Sequence, residues 1–401
     1  MRHRLTSLAL LATLTSAHAD TPKSFAPRVP AVAPFSARLD GALAQRSGNF
    51  LYSPTSISIA LAMVREGARG ATADEMDRVL GADARTTAKA ITRSFKTSKH
   101  GPGETKPPEL AIANRLFGDL KTTFAQPFLD VTSKDYEAPV ESLDFFAHAD
   151  ASRLHINAWV ATQTHDKIKD LLPPPSVTPI TRLVLVNAIY MKAAWAMPFQ
   201  PSLTAPAAFN VGGAASKQVP TMHTTAVATW GAHAGARMLD LPYASAGGTQ
   251  LSMMLVVPDV AALATVEKSY ASEGIQPFLA AVKTSGPANV ALPKFEVGTA
   301  FELEPTLVDL GMKVAFSDHA DFSGISQVPT QISRVIHKAW AKVDEAGTEA
   351  AAATAIVVNE VSGGAVAKPH PFAVDRSFLF FVHDAQGNVL FGGRIVDPSA
   401  N

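Results

Sequence analysis

Apolar positions recur at helical spacing through the first part of the chain and give way to short β-branched and apolar runs later. Phe35 to about Ala44 and Ser56 to Glu66 read as amphipathic helices, with Ser53-Pro54 as a start signal because proline fits a first helical turn. Thr72 to Leu80 reads as a further helix capped by Thr72. Arg85 to Lys99 is basic and helical, ending at Gly101-Pro102-Gly103, and Ala149 to Leu172 keeps helical spacing up to Pro173-Pro174-Pro175. Strand-like runs then dominate: Leu183–Met191, Met238–Leu241, Leu251–Val257, Val290–Phe295, Phe378–His383 and Val389–Val396, with one helix near Phe301–Leu310. Helices first and strands later predict an α+β fold with a largely antiparallel or mixed sheet. No internal repeat or long linker divides it.

One segment resists a single assignment. From Thr348, a period of two puts Thr348, Ala350, Ala352, Thr354, Ile356 and Val358 on one face, uncharged and small near its start. That face suits a strand inside a sheet. Yet alanines are poor strand formers, and Thr-Glu-Ala-Ala-Ala-Ala starts like a capped helix. Gly363, Gly364, Pro369 and Pro371 follow as in an exposed loop. Surface helix, loop and buried strand all stay open, and the combination suggests a conformational switch.

The 401 residues are 47% hydrophobic and 17% charged, which indicates a well-cored globular chain. The formal net charge is zero, so nothing global favours nucleic acid or an anionic membrane. Residues 1–19 have the basic start, apolar run and small residues of a secretory signal, with cleavage expected after Ala19. A flexible leader over 20–34 and one domain over 35–398 follow, in a secreted or periplasmic protein. No cysteine is present, which excludes disulfides and thiol catalysis.

The chemistry expected of an enzyme is missing. There is no Gly-x-Ser-x-Gly elbow, no His-Glu-x-x-His and no phosphate-cradling Gly-Lys-Thr/Ser loop. The nearest histidine pairs, His148 with His155 and His223 with His233, have no metal-ligand arrangement. No cofactor, metal, nucleic acid or membrane partner is called for, and a monomer is expected. Arg85, Lys89, Arg93, Lys96 and Lys99 could bind a polyanion, although such runs are usually solvated helix faces.

Ordered motifs from Phe35 to Pro398 carry a family resemblance. They include Asn49-Phe50-Leu51-Tyr52-Ser53-Pro54, Ala113-Asn114-Arg115-Leu116-Phe117 and Leu185-Val186-Asn187-Ala188-Ile189-Tyr190 with Trp195. Leu241-Pro242-Tyr243, Leu292-Pro293-Lys294-Phe295, His337-Lys338-Ala339 and Phe391-Gly392-Gly393-Arg394 continue the series. The chain resembles the serpins, and within them the inhibitory type; a bacterial source is expected. The resemblance implies three β-sheets, about nine helices and a reactive loop over about 345–371. It implies a suicide-substrate inhibitor that forms a covalent complex with a serine protease, whose cleaved loop inserts into the large sheet. Glu345, Gly347, Thr348, Glu349, Ala350, Ala351, Ala352, Ala353 and Thr354 match the hinge, with Gly347 as its flexible point. Ser53, Ser56, Asn187 and His337 match the polar shutter beneath the opening sheet, and Trp195 matches the breach where insertion begins.

Counting from Glu345 by the family's loop length puts the reactive bond at Val361–Ser362, with Asn359, Glu360 or Lys368 as alternatives in a slightly longer loop. Val361 would suit the shallow apolar pocket of an elastase-like or subtilisin-like protease, and Lys368 a trypsin-like one. A non-inhibitory binding module and a hydrolytic enzyme are the competing readings; the unbroken small residues disfavour the first and the missing constellations the second.

Overall fold

The computed structural model describes residues 33–96, 109–212, 215–245, 250–259, 262–348 and 368–400. Among them are nine α-helices. Those of the first half are α1 Phe35–Leu43, α2 Pro54–Arg65, α3 Gly70–Leu80, α4 Ala84–Lys96, α5 Gln126–Asp135 and α6 Phe145–Gln163. Later come α7 Leu263–Glu273, α8 Gln276–Ala281 and α9 Glu304–Asp309. The strands begin with β1 Phe50–Tyr52, β2 Glu109–Asp119, β3 Glu141–Leu143, β4 Leu183–Ala194 and β5 Ala205–Val211. They continue as β6 Ala215–His233, β7 Ala236–Pro242, β8 Leu251–Pro258, β9 Thr284–Pro293 and β10 Phe295–Glu302. Last are β11 Arg334–Asp344, β12 Gly347–Thr348, β13 His370–Ala373, β14 Phe378–Asp384 and β15 Val389–Ile395.

The strands form two hydrogen-bonded sheets. One has six strands in the order β10-β11-β12-β4-β2-β3. The other runs β1-β15-β14-β8-β7-β6-β9-β13, with β5 paired to β6. The two smaller sheets that the family resemblance implies are therefore continuous, joined through the 19-residue β6, which pairs with β5, β7 and β9.

The Ser53-Pro54 start signal holds. Ser53 Oγ accepts the Ser56 N–H at 3.1 Å, and Pro54 occupies the first turn of α2. This helix is apolar nearly all round, with Ile57, Leu61 and Val64 fully buried, and so belongs inside the molecule.

Three local expectations fail. Thr72 is no cap: α3 begins at Gly70, and the buried Thr72 Oγ1 instead accepts the Asp321 N–H at 2.8 Å. The helix expected to reach Leu172 stops at Gln163. Thr164 Oγ1 turns back to Val160 O at 2.8 Å, and His165, Asp166 and Asp170 take left-handed φ values of 50°, 62° and 50°. Phe301 lies in β10 rather than in α9.

One ionisable group is trapped beneath α1. Asp40 is 2% exposed and its Oδ2 has no hydrogen-bond partner. Tyr52, Tyr270 and the Arg394–Glu267 ion pair (2.8 Å) surround it. Burial lifts the Asp40 carboxyl to about 7, against the opposing pull of a Tyr52 hydrogen bond and Arg394.

Candidate functional site: a parting sheet and its latch

Strands β4 and β11 are parallel neighbours from Val184↔Arg334 to Tyr190↔Trp340. Beyond that point they separate, and β12 lies between them. Thr348 pairs with Val343 on one side and Ala193 on the other; Gly347 pairs with Asp344 and Ala194. The central sheet is thus already parted at one end by the start of the hinge.

Each hinge residue described has a specific seat. Thr348 is 1% exposed, and its hydroxyl lies 2.7 Å from the Tyr243 hydroxyl. Tyr243 in turn stacks on Trp195, with ring centres 4.5 Å apart and planes 7° from parallel. Trp195 Nε1 donates to Asp344 O at 3.0 Å, which ties the aromatic pair to the end of β11. Glu345 takes Lys294 Nζ at 2.7 and 3.0 Å and Thr204 Oγ1 at 2.8 Å. Burial pushes its carboxyl up, but those donors outweigh burial and hold it below the usual carboxylate range.

Gly347, expected as the flexible point, lies where the backbones of β12 and β4 approach closely. Its φ is +149°, and a Cβ there would stand 2.1 Å from Ala193 O. Glycine is required because the backbones of β12 and β4 leave no room for a side chain.

The shutter residues assemble where β4 and β11 are still joined. His337 Nε2 accepts the Ser53 N–H at 3.0 Å, so the Nδ1 proton faces Asn187 Oδ1. Asn187 Nδ2 donates to Ser56 Oγ at 2.5 Å and also to Asn114 Oδ1. Asn114 Nδ2 closes the network on Ser56 O at 3.2 Å. Burial lowers the His337 imidazole to about 3, so the network is neutral at physiological pH. Ser53, Ser56, Asn187 and His337 meet in this network, and Trp195 lies beside the parted end.

Four participants were not singled out from the sequence: Asn114, Tyr243, Lys294 and Thr204. The first three fall within motifs that carry the family resemblance, which is the signal that could have flagged them. Thr204 has none. Glu349, Ala350, Ala351, Ala352, Ala353, Thr354, Val361 and Ser362 lie outside the described residues.

Of the basic helix face, Arg85, Lys89 and Arg93 have described side chains, and each is ion-paired. Arg85 pairs with Glu66 at 3.3 Å; Lys89 reaches both Glu66 (2.9 Å) and Asp135 (3.0 Å); Arg93 pairs with Asp135 at 3.2 Å. These ion pairs hold α4 against the end of α2 and against α5; the side chains of Lys96 and Lys99 lie outside the described residues.

The six-stranded sheet thus parts around a two-residue strand at one end and is tied by a buried polar network further along. The chain belongs to the serpin family: the family model described as Serpin (serine protease inhibitor) matches residues 30–398. Serpin B6 of Pongo abelii is 38% identical over 359 residues, covering 88% of this chain and 94% of that protein. A leukocyte elastase inhibitor of Xenopus tropicalis is 35% identical over 364 residues, covering 88% and 94%. Among solved structures, Serpin48 of Tenebrio molitor aligns with a TM-score of 0.77 at 31% identity, covering 90% of this chain and 96% of its own. The family is one of protease inhibitors, not enzymes.

Proposed function

We propose that this is an exported suicide-substrate inhibitor of elastase-like or subtilisin-like serine proteases, with Val361–Ser362 as its reactive bond. The protease serine attacks the Val361 carbonyl, the peptide bond breaks, and the Ser362 amine leaves with the proton delivered by the protease histidine. The ester to Val361 remains while the freed hinge fills the sheet from β12 onward.

The observation that carries this reading is the register of β12. Extended along both neighbours, it sets residues 347–358 against the whole of β4, from Ala194 back to Leu183. Within that stretch, Ala350, Ala352 and Thr354 share the face of buried Thr348, where small uncharged side chains are the ones a closed sheet can accept.

The position of the bond has its own support. Val361 stands 13 residues past Thr348 and nine before His370, where β13 begins. Lys368 is two residues from β13, too close to that anchor to extend into a protease cleft. The neighbours Asn359 and Glu360 share the central position but offer polar side chains to an apolar pocket. Export rests on the signal-like residues 1–19.

The test is incubation with pancreatic elastase and, separately, subtilisin. An SDS-stable complex and a released fragment starting at Ser362 by mass spectrometry are expected. A fragment starting elsewhere overturns the bond assignment, and rapid cleavage without complex overturns inhibition.

A further inference from the structure

Among the described residues, sulfur is nearly all hidden. Cysteine is absent, and Met1 lies outside the described residues. Eight of the remaining nine methionines are at most 1% exposed, whereas Met197 is 44% exposed. That side chain stands at the crown of a short arch, residues 195–199, which grips the root of the hinge. Three consecutive hinge carbonyls accept hydrogen bonds from the arch: Asp344 O from Trp195 Nε1 at 3.0 Å, Glu345 O from the Phe199 N–H at 2.9 Å and Ala346 O from the Trp195 N–H at 3.1 Å. The Trp195 and Phe199 rings meet edge to face with centres 6.0 Å apart. Two more bonds moor the arch to the other sheet, Ala196 N–H to Pro242 O at 3.0 Å and Thr224 Oγ1 to Pro198 O at 3.3 Å.

Resting on the inhibitor reading, we propose that Met197 is a modification site for two-electron oxidants such as hydrogen peroxide, and that its sulfoxide slows insertion of the cleaved loop. The thioether sulfur takes one peroxide oxygen and gives up two electrons, while the other oxygen leaves as water with both protons. With no thiol in the chain, the one exposed sulfur among the described residues is the one placed over the hinge root.

More than half of Met197 is covered by protein, which suits a flexible apolar thioether. A sulfoxide is polar and chiral, and its oxygen draws the side chain toward water. The crown then pulls away from its cover, and the strain falls on Trp195 and Phe199, two residues to either side. What these two hold is the pivot on which the hinge turns into the sheet. Gly347 and Thr348 follow directly and already lie between β4 and β11. With the pivot loosened, this nucleus is less often in place when the loop is cut, and the protease has longer to hydrolyse the ester and escape.

Wild type, Met197→Leu and Met197→Gln are compared before and after hydrogen peroxide. Sulfoxide is read by mass spectrometry of the tryptic peptide 193–217, in which Met197 is the sole methionine. Function is read as the inhibitor molecules consumed per pancreatic elastase or subtilisin molecule trapped, and the hinge as amide exchange at Thr348. Expected are sulfoxide at Met197 ahead of every buried methionine, faster exchange at Thr348, and insertion slowed about fivefold, the worth of one hydrogen bond. Inhibitor consumed beyond one per protease then rises by the same factor. Met197→Leu should keep full inhibition through the treatment, and Met197→Gln, polar and of similar length, should match the oxidised wild type without it. Oxidation of buried methionines at the same rate overturns the site. Complete Met197 sulfoxide with unchanged consumption and exchange overturns its effect on insertion, and so does equal loss of inhibition in Met197→Leu. A wild type that forms no complex before oxidation refutes the inhibitor reading and the slowed insertion with it, while the modification site and its grip on the hinge stand or fall on the sulfoxide and on Thr348 exchange.

Discussion

Threonine 354 offers a test of the register on which insertion depends. Six residues beyond Thr348 on the hinge, and six residues back from Ala193 and Val343, the same alignment reaches Asn187 on β4 and His337 on β11. Those two residues are partners in the present sheet, joined through His337 Nδ1–H and Asn187 Oδ1. An inserting strand must break that bond, and Thr354 arrives with a hydroxyl that can replace it. Thr354→Val keeps the shape and removes the hydroxyl, leaving a buried donor or acceptor unsatisfied in the inserted form alone. That omission costs about 1–3 kcal/mol. With a guanidinium slope of roughly 5 kcal/mol per M, the unfolding midpoint of the loop-cleaved protein should fall by ~0.2–0.6 M, and that of the uncleaved protein should not move. The assay is paired guanidinium unfolding before and after loop cleavage. An unchanged midpoint in the cleaved variant refutes the alignment, because a slip of one residue would turn Thr354 to the opposite face.

Two further perturbations follow from buried groups. Asp40→Asn should stabilise the protein at pH 8. The native carboxyl titrates near 7 against an ordinary value of 3.8, so its contribution is fully present below about 3.8 and lost as pH rises through 7, by roughly 4 kcal/mol. Melting curves of variant and wild type should converge toward pH 4, and a constant gap across that range refutes the assignment. Tyr243→Phe removes the hydroxyl that meets Thr348 and should release the hinge from its seat. Amide exchange at Thr348 should then rise about tenfold, and unchanged protection shows that backbone pairing alone holds it.

Much of the architecture was legible because local signals and tertiary roles coincide. Ser53-Pro54 caps α2 and also places the Ser53 N–H on His337, so one motif reports both helix start and latch. The apolar run Leu183–Met191 is a strand buried on both faces, and such runs are hard to misread. Other features depend on partners remote in sequence. Asn114 joins the latch across 73 residues from Asn187, and nothing local in Ala-Asn-Arg marks it. Thr72 looked like a cap because threonine before a periodic run usually is one, but its hydroxyl had a better acceptor role at Asp321, 249 residues away. Strand β6 went unread since much of its length is exposed: Val219, Met222, Ala226 and Ala228 are buried among polar and small exposed neighbours.

If the loop inserts as proposed, the partial parting of the sheet bears on how insertion could be fast enough to trap an acyl-enzyme. Opening β4 from β11 breaks one ladder, running from Val184↔Arg334 to Tyr190↔Trp340, whereas a strand laid between them makes two. Completed insertion therefore gains a ladder, and the obstacle is the first step, in which bonds break before new ones form. In this protein that step is already taken. Gly347 and Thr348 hold the strands apart where β4 ends, and Gly347 does so only because it lacks a side chain. From there each residue that enters exchanges one pairing for two, until the front meets the Asn187–His337 latch. The latch is neutral, with His337 lowered to about 3, so parting it breaks hydrogen bonds without separating buried charges. A charged pair at the same place would have added several kcal/mol to the barrier at the midpoint of the zipper. On the proposed insertion, the two halves of the site would divide the kinetics: the parted end would supply the nucleus, and the Asn187–His337 network would set the height of the internal barrier that follows.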